Sequence, residues 1–343
     1  MRFLILLGAV IAVFTGYVYY WNRLSDGLLS AAEQWMADRR DEGLIITHEG
    51  MEVRGFPYRL ALEIDRPVIS RPDSPLQWRI STDWLSIHWQ PWNLAHAVAV
   101  FEGEQKISFL QNGRRRNLSI TAKSARASAK VTEQTRFSNG ALDLQIGRLK
   151  SDDGREYGFK RIQLHLRVNR GEDAQRPDGT VDAAVLMDDV TLPPAGPAWR
   201  PADRIERARL AIRLEPPLPR GTEPLALAFW RDQGGIVSIT GIDGKWGAVE
   251  VTGDGSLTLD EKNRPLASLS LKMRVVDVLA AQLRQRPQKE LRRIGELLAP
   301  LSGMLAREDE QGSYVKAPVT VQDGVLSIGP LPILAVPPLF SSQ

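Results

Sequence analysis

The sequence predicts a mainly β protein: an antiparallel, curved or groove-like sheet behind an N-terminal transmembrane helix, with minor helices near the C-terminus. Three observations predict it. Residues 3 to 21 carry no charge, most of the remaining chain alternates apolar with polar residues, and Asx-Gly dipeptides recur between the alternating runs. An uncharged apolar run of about 20 residues is long enough to cross a bilayer. Period-two alternation marks strands with one buried face. Such strands pair antiparallel, because parallel strands are covered on both faces and read as continuous apolar runs.

The apolar segment FLILLGAVIAVFTGYVYYW closes on Tyr17, Tyr19, Tyr20 and Trp21, aromatics that suit a membrane–water interface. In a cleaved signal peptide a shorter apolar stretch runs directly into small residues. Here the nearest small-x-small triplet, Ser30-Ala31-Ala32, lies beyond Arg23 and Asp26. Residues 1–22 are therefore expected to stay as an anchor. Arg2 favours a cytoplasmic N-terminus, against which Arg23 counts on the far side. The expected location is the inner membrane, single pass, with the bulk of the chain in the periplasm. Leu24, Leu28, Ala31, Trp35 and Met36 then recur at helical spacing up to Gly43, so residues 23–43 are read as a juxtamembrane helix continuing from the anchor.

Residues 44–343 form the expected β-rich extracytoplasmic domain. Tyr58, Leu60, Leu62 and Ile64 alternate with Arg59, Ala61, Glu63 and Asp65. The same pattern returns in Ile162, Leu164, Leu166 and Val168, and in Ala208, Leu210, Ile212 and Leu214. Each run reads as a half-buried strand. Turns are expected at Asn139-Gly140, Asp178-Gly179, Asp243-Gly244, Asp254-Gly255 and Asp323-Gly324, dipeptides that tolerate positive φ. Asp254-Gly255 also fits a bulge, since alternation continues through it. Proline-rich stretches at 193–201 and 216–224 read as loops, with a division into two halves near 193–224. Leu291, Ile294, Leu297, Leu298, Leu301 and Leu305 make the apolar stripe of a helix over 287–306, expected to cap the sheet's core. The tail GPLPILAVPPLF is unsuited to a central strand, because proline cannot donate to the ladder.

GFPYRLAL at 55–62, the tryptophan-rich stretch to Pro91 and AVAVFEGEQ at 97–105 resemble a bacterial family catalogued as domain of unknown function twenty-one-twenty-five. The resemblance spans nearly the whole chain. It implies one N-terminal membrane helix and a long β-rich region in the Gram-negative envelope, and it brings no catalytic residues. GKWGAVEVTGDGSLTLDEKNRPLASLSL at 244–271 and DGVLSIGPLPI at 323–333 more loosely resemble AsmA-like envelope proteins. That resemblance implies grooved sheets associated with lipid handling.

Little in the sequence points to catalysis. The chain has no cysteine, which removes disulfides, thiolate metal sites and cysteine nucleophiles. His48, His88, His96 and His165 are dispersed and fit no HExxH pattern. Ser313 and Lys316 match SxxK, but that motif works on a helix, where positions three apart share a face. Here the context reads as a strand, which sends the two side chains to opposite faces. No GxSxG elbow, Walker loop or GxGxxG is present. The chain is therefore expected not to be an enzyme and to need neither metal nor cofactor.

Two clusters remain as binding candidates. Arg114, Arg115 and Arg116 could meet anionic headgroups through charge-assisted hydrogen bonds. Nucleic acid is not an expected partner, since no aromatics interleave the run for stacking. Their bland role is to solvate and blunt a sheet edge. Trp84 and Trp89 are candidates for an apolar wall, against ordinary core packing. With 44 basic and 41 acidic residues the surface is balanced, so steering by net charge is weak. The leading expectation is lipid binding or transfer in envelope maintenance, with membrane and lipid or an envelope protein as partners. A structural or assembly scaffold is the alternative, and an unrecognised hydrolase the third.

Overall fold

The structure, a computed structural model, describes residues 2–111, 113–132, 134, 136–171, 173, 175–194, 200–216, 224–285, 287–310 and 312–338. The chain divides into two compact units, Met1–Glu156 and Tyr157–Gln343.

The first unit opens with helix α1 (Arg2–Asp41). It is unbroken, so the apolar run of residues 3–21 and the amphipathic stretch that follows it form one rod. Residues 3–16 stand exposed, whereas Trp21, Leu24, Leu28, Ala32, Met36 and Arg39 recur every three or four residues as the shielded stripe. Strands follow at β1 (Ile45–Thr47), β2 (Gly50–Arg54), β3 (Leu60–Asp65), β4 (Val68–Arg71), β5 (Trp78–Ser81), β6 (Trp84–Gln90), β7 (Asn93–Glu102), β8 (Glu104–Gln111), β9 (Arg114–Val131) and β10 (Phe137–Ser151). The long strand β9 is the spine. One edge carries β10, and the other is shared by β8 over Arg114–Thr121 and β7 over Ala125–Lys130. From that fork one branch runs β8–β5–β4–β1 and the other β7–β6–β3–β2, all antiparallel. Strand β3 departs from the half-buried expectation: Leu60, Ala61 and Leu62 are 1%, 0% and 3% exposed, so both of its faces are covered. It pairs on both edges, and α1 lies against β1, β2 and β3.

The second unit is a meander of long strands: β11 (Glu156–Val168, whose first residue ends unit one), β12 (Val181–Thr191), β13 (Arg204–Glu215), β14 (Ile236–Trp246), β15 (Val249–Leu259) and β16 (Pro265–Arg274). Each pairs antiparallel with the next. Helix α2 (Pro224–Asp232) precedes β14, with a proline at its first position, where the missing N–H costs nothing. Helices α3 (Val276–Arg284) and α4 (Lys289–Met304) follow β16. The remaining strands are β17 (Ala306–Asp309), β18 (Gly312–Gln322), β19 (Val325–Ile328) and β20 (Leu331–Ala335). β18 pairs with β16 on one edge, with β17 and β19 on the other, and β20 closes the series on β19. No pairing among the described residues closes either unit's sheet into a barrel.

Several expectations need correcting. Asn139-Gly140 and Asp243-Gly244 are not turns but lie inside β10 and β14. Their glycines leave room for neighbours: a Cβ at Gly244 would stand 3.0 Å from Val251 Cγ1, and one at Gly140 would stand 2.9 Å from the Phe137 ring. Asp254-Gly255 also lies within a strand, opposite a register shift between Ile239 and Ile242. Asp323-Gly324 is the turn between β18 and β19, with φ 53° and 73°. Helices α2 and α3 had no counterpart in the sequence reading. The predicted helix over 287–306 is α4, and its Leu291, Ala299 and the following Leu305 pack on a core of Val276, Ala280, Leu283, Val315 and Ala317. The side chains of Ile294, Leu297, Leu298 and Leu301, and residues 195–199 and 217–223 of the proline-rich stretches, lie outside those described.

Candidate functional site

The most distinctive surface belongs to the second unit and follows from register. Facing residues in an antiparallel ladder share a side of the sheet. Across β11–β16 and β18, one line of partners reads Leu164, Val185, Leu210, Ile242, Gly253, Leu271, Ala317. The next reads Leu166, Ala183, Ile212, Ile239, Gly255, Leu269, Val319. The flanking lines, from Ile162 to Val315 and from Val168 to Val321, are likewise apolar or glycine throughout. No charge or amide interrupts this face over seven strands.

Its two ends differ. Val315, Ala317, Val319 and Val321 of β18 are buried, the first two beneath α3 and α4. The two helices approach closely at Gly295, where a Cβ would lie 2.7 Å from the Arg284 backbone nitrogen and 2.8 Å from the Ala280 carbonyl oxygen. At the other end Leu164, Leu166 and Leu210 are 41%, 40% and 41% exposed. The strands predicted to bury one face therefore have that face built but not fully covered. Leu271 leans over Gly253, where an added Cβ would stand 2.6 Å from its Cδ2 atom.

The opposite face is polar and largely neutralises itself. Arg213 meets Asp182 at 2.8 Å, Arg207 meets Asp243 at 2.8 Å and Lys245 meets Glu250 at 2.7 Å. The hydrogen bond from Lys245 is the main reason that the Glu250 carboxyl titrates below its ordinary range, and Asp243 raises the Arg207 guanidinium above its own. Lys272 and Arg274 both reach Asp309 at 2.6 Å and stack over Tyr314. Beside α2, a separate hollow of 640 Å³ is lined by Pro216, Phe229, Trp230 and Ile236, with Trp230 donating to the Pro216 carbonyl at 2.8 Å.

The residues singled out from sequence are placed otherwise. Arg114, Arg115 and Arg116 open β9, with Arg115 directed to the opposite side from its neighbours. Arg115 donates to the Gln77 carbonyl at 3.3 Å, and Arg116 pairs with Asp152 at 3.6 Å. The three therefore do not form one cationic surface. Trp84 and Trp89 stand five residues apart in β6, facing opposite sides, so no single wall holds both. Trp84 stands between Asp65 and Glu102, and Trp89 opposite Leu60. Basic side chains do converge nearby on a hollow of 460 Å³ lined by Arg79, Lys106 and Lys150 among serines and Asn117. Sequence reading missed it because they come from three strands, and only the register Ser81, Lys106, Ser119, Lys150 aligns them. Lys106 and Lys150 pair with Glu104 and Glu156 at 3.3 and 3.4 Å.

Ser313 and Lys316 lie in β18 on opposite faces, as a strand requires. Among the described residues no group of three histidines and carboxylates is placed to hold a metal.

The model of the bacterial family DUF2125, described as an uncharacterized protein conserved in bacteria, matches residues 21–337, and the chain belongs to that family. No curated protein and no solved structure matches it significantly.

Proposed function

We propose that this DUF2125 protein is a lipid-binding or lipid-transfer module of the bacterial envelope, held to the inner membrane by α1 with its β units in the periplasm. The observation that carries the reading is the uninterrupted apolar face of β11–β16 and β18, left partly open at Leu164, Leu166 and Leu210. Each CH2 group moved from water onto such a face contributes about 0.8 kcal/mol, so part of one acyl chain supplies useful affinity without any dedicated polar residue. A binding face of this kind leaves no short motif in the sequence, which accords with the dispersed histidines and the absence of a nucleophile pattern. The reading assigns the chain no chemical step.

The test is native mass spectrometry of the full-length protein released gently from membranes, with extraction and identification of retained lipid. The wild-type chain is expected to carry lipid in a defined stoichiometry, and Leu164→Glu to lose it while folding normally. Lipid-free protein under several mild conditions, or a charged variant that retains its lipid, would replace this reading with an envelope scaffold whose apolar face receives a protein.

A further inference from the structure

The first unit carries a second apolar feature, separate from the sheet face and continuous with α1. Phe56, in the loop between β2 and β3, inserts its ring among aromatics of the helix. Its centroid lies 6.3 Å from Phe14, 6.2 Å from Tyr17 and 5.5 Å from Trp21, edge-on to the first and last. Gly55 makes the approach possible: its φ of 103° belongs to glycine, and a Cβ there would stand 2.5 Å from Arg59 Cγ.

The helix ruler sets the depth of this loop. At 1.5 Å per residue, the uncharged run from Phe3 to Trp21 is just long enough for a hydrocarbon core of about 30 Å. Phe14 lies seven residues, or about 10 Å, inside the Trp21 end of that run. A ring packed on Phe14 and Tyr17 therefore lies below the level at which the helix leaves the membrane. From this geometry we infer that the loop at 55–59 and the β6–β7 turn at 91–92, with the start of β7, are embedded in the lipid interface, so that the bilayer itself is the partner of this surface. The inference rests on the reading of α1 as a membrane span.

Two further features fit that environment. Backbone groups placed among lipid must find partners within the protein. Three of the loop carbonyls find theirs on α1: Trp21 Nε1 donates to Arg59 O at 3.2 Å, Tyr20 donates to Pro91 O at 3.1 Å, and the Tyr17 hydroxyl donates to Pro57 O. Pro57 has no N–H to satisfy, and the Arg59 N–H returns to the Gly55 carbonyl at 3.1 Å. The outward side chains are interfacial in kind. Tyr58 is 77% exposed, Trp92 65% and Leu94 50%, an outlay of apolar surface that is unfavourable in water and favourable among headgroups. Arg59, exposed beside them, has a stem long enough to carry its charge to the aqueous side. Arg23, just past the end of the run, reaches back to Tyr19, with its guanidinium over the ring and Nε donating to the hydroxyl at 3.1 Å, a pairing of cation and aromatic suited to the headgroup level.

The cysteine-free chain makes the test direct. Single cysteines at Val13, Tyr58, Trp92 and Lys150, each in the full-length protein, would be nitroxide-labelled in vesicles of phosphatidylethanolamine and phosphatidylglycerol. Collision with oxygen, which partitions into lipid, is compared with collision with a water-soluble nickel chelate. The expected order is deepest at 13, shallow within the membrane at 58 and 92, and aqueous at 150. Labels at 58 and 92 as open to nickel as that at 150, with 13 still deep, would overturn the embedding and leave the anchor standing. A label at 13 that is open to nickel would overturn both. Tyr58 and Trp92 are mostly exposed, so their replacement leaves the packing of the unit in place.

Discussion

Strands β3 and β11 carry the same sequence pattern and meet opposite fates. Leu60 and Leu62 alternate with polar or small neighbours just as Leu164 and Leu166 do. Yet the first pair is 1% and 3% exposed and the second 41% and 40%. Alternation reports the chemistry of a face; it says nothing of what covers that face. In β3 the cover is supplied by α1, a rod that ends at Asp41, well before β3 begins, together with neighbours on both edges. In β11 the corresponding apolar face continues across six further strands, and α3 and α4 cover it at the far end. The partial opening at Leu164, Leu166 and Leu210 is what the proposed binding role draws on.

The largest expected effect tests that difference directly. Leu62→Ala should cost about 2–5 kcal/mol, because the vacated volume lies in a packed interior. Leu164→Ala should cost under about 1.5 kcal/mol, since much of the side chain already meets solvent. Urea denaturation of the full-length protein in a mild detergent, followed by a probe in each unit, measures both. Equal losses would mean that the face at β11 is covered in the folded molecule, and the comparison would fail.

A second pair sharpens the contrast within the apolar face itself. Ala317 is 0% exposed beneath α3, so Ala317→Leu should overpack and destabilise by about 1–3 kcal/mol. Leu210→Met, at the open end of the same ladder, should change stability by no more than about 0.5 kcal/mol. Thermal melts of the two variants read the gradient from covered to open. Should Leu210→Met match Ala317→Leu, the openness of that end would be refuted.

How much of this was legible in the sequence depends on whether the information was local. The uncharged run, the stripe in the second half of α1, the helix at 289–304 and the alternation of β11 and β13 were all readable, because each signal lies within one segment. Helix α3 carried a usable signal in Val276, Leu279, Ala280 and Leu283, at helical spacing, that a reading centred on strands passed over. The glycines misled for a physical reason. Gly244 sits mid-strand where Val251 of the next strand occupies the space of a Cβ, and that neighbour is invisible until the register is known; at Gly140 the space is taken by Phe137 of the same strand, beside an irregularity in its pairing. The same holds for the site. The four apolar lines across β11–β18 and the convergence of Arg79, Lys106 and Lys150 are properties of pairing, whereas Arg114–Arg116 and Trp84 with Trp89 looked like clusters only because they are close along the chain.

The smallest expected effect is one of pH, and it reports the cover over β3. His88 of β6 pairs in register with the fully buried Ala61, and its Nδ1 atom is buried without a hydrogen-bond partner. Burial lowers its pKa below the ordinary 6.5; the charge of Arg59 acts in the same direction and Glu63 against it. The folded protein therefore holds the imidazole neutral at a pH where the unfolded chain has begun to take up a proton. The stabilisation is complete above about pH 6.5 and declines as pH falls towards the lowered folded value, below which it is gone. The site is partly solvated, so the effect should be a slight fall in Tm between pH 7.5 and 5.5. His88→Gln, which cannot titrate, should flatten that interval. A slope that survives His88→Gln would assign the titration to another group and remove His88 as a reporter of what covers β3.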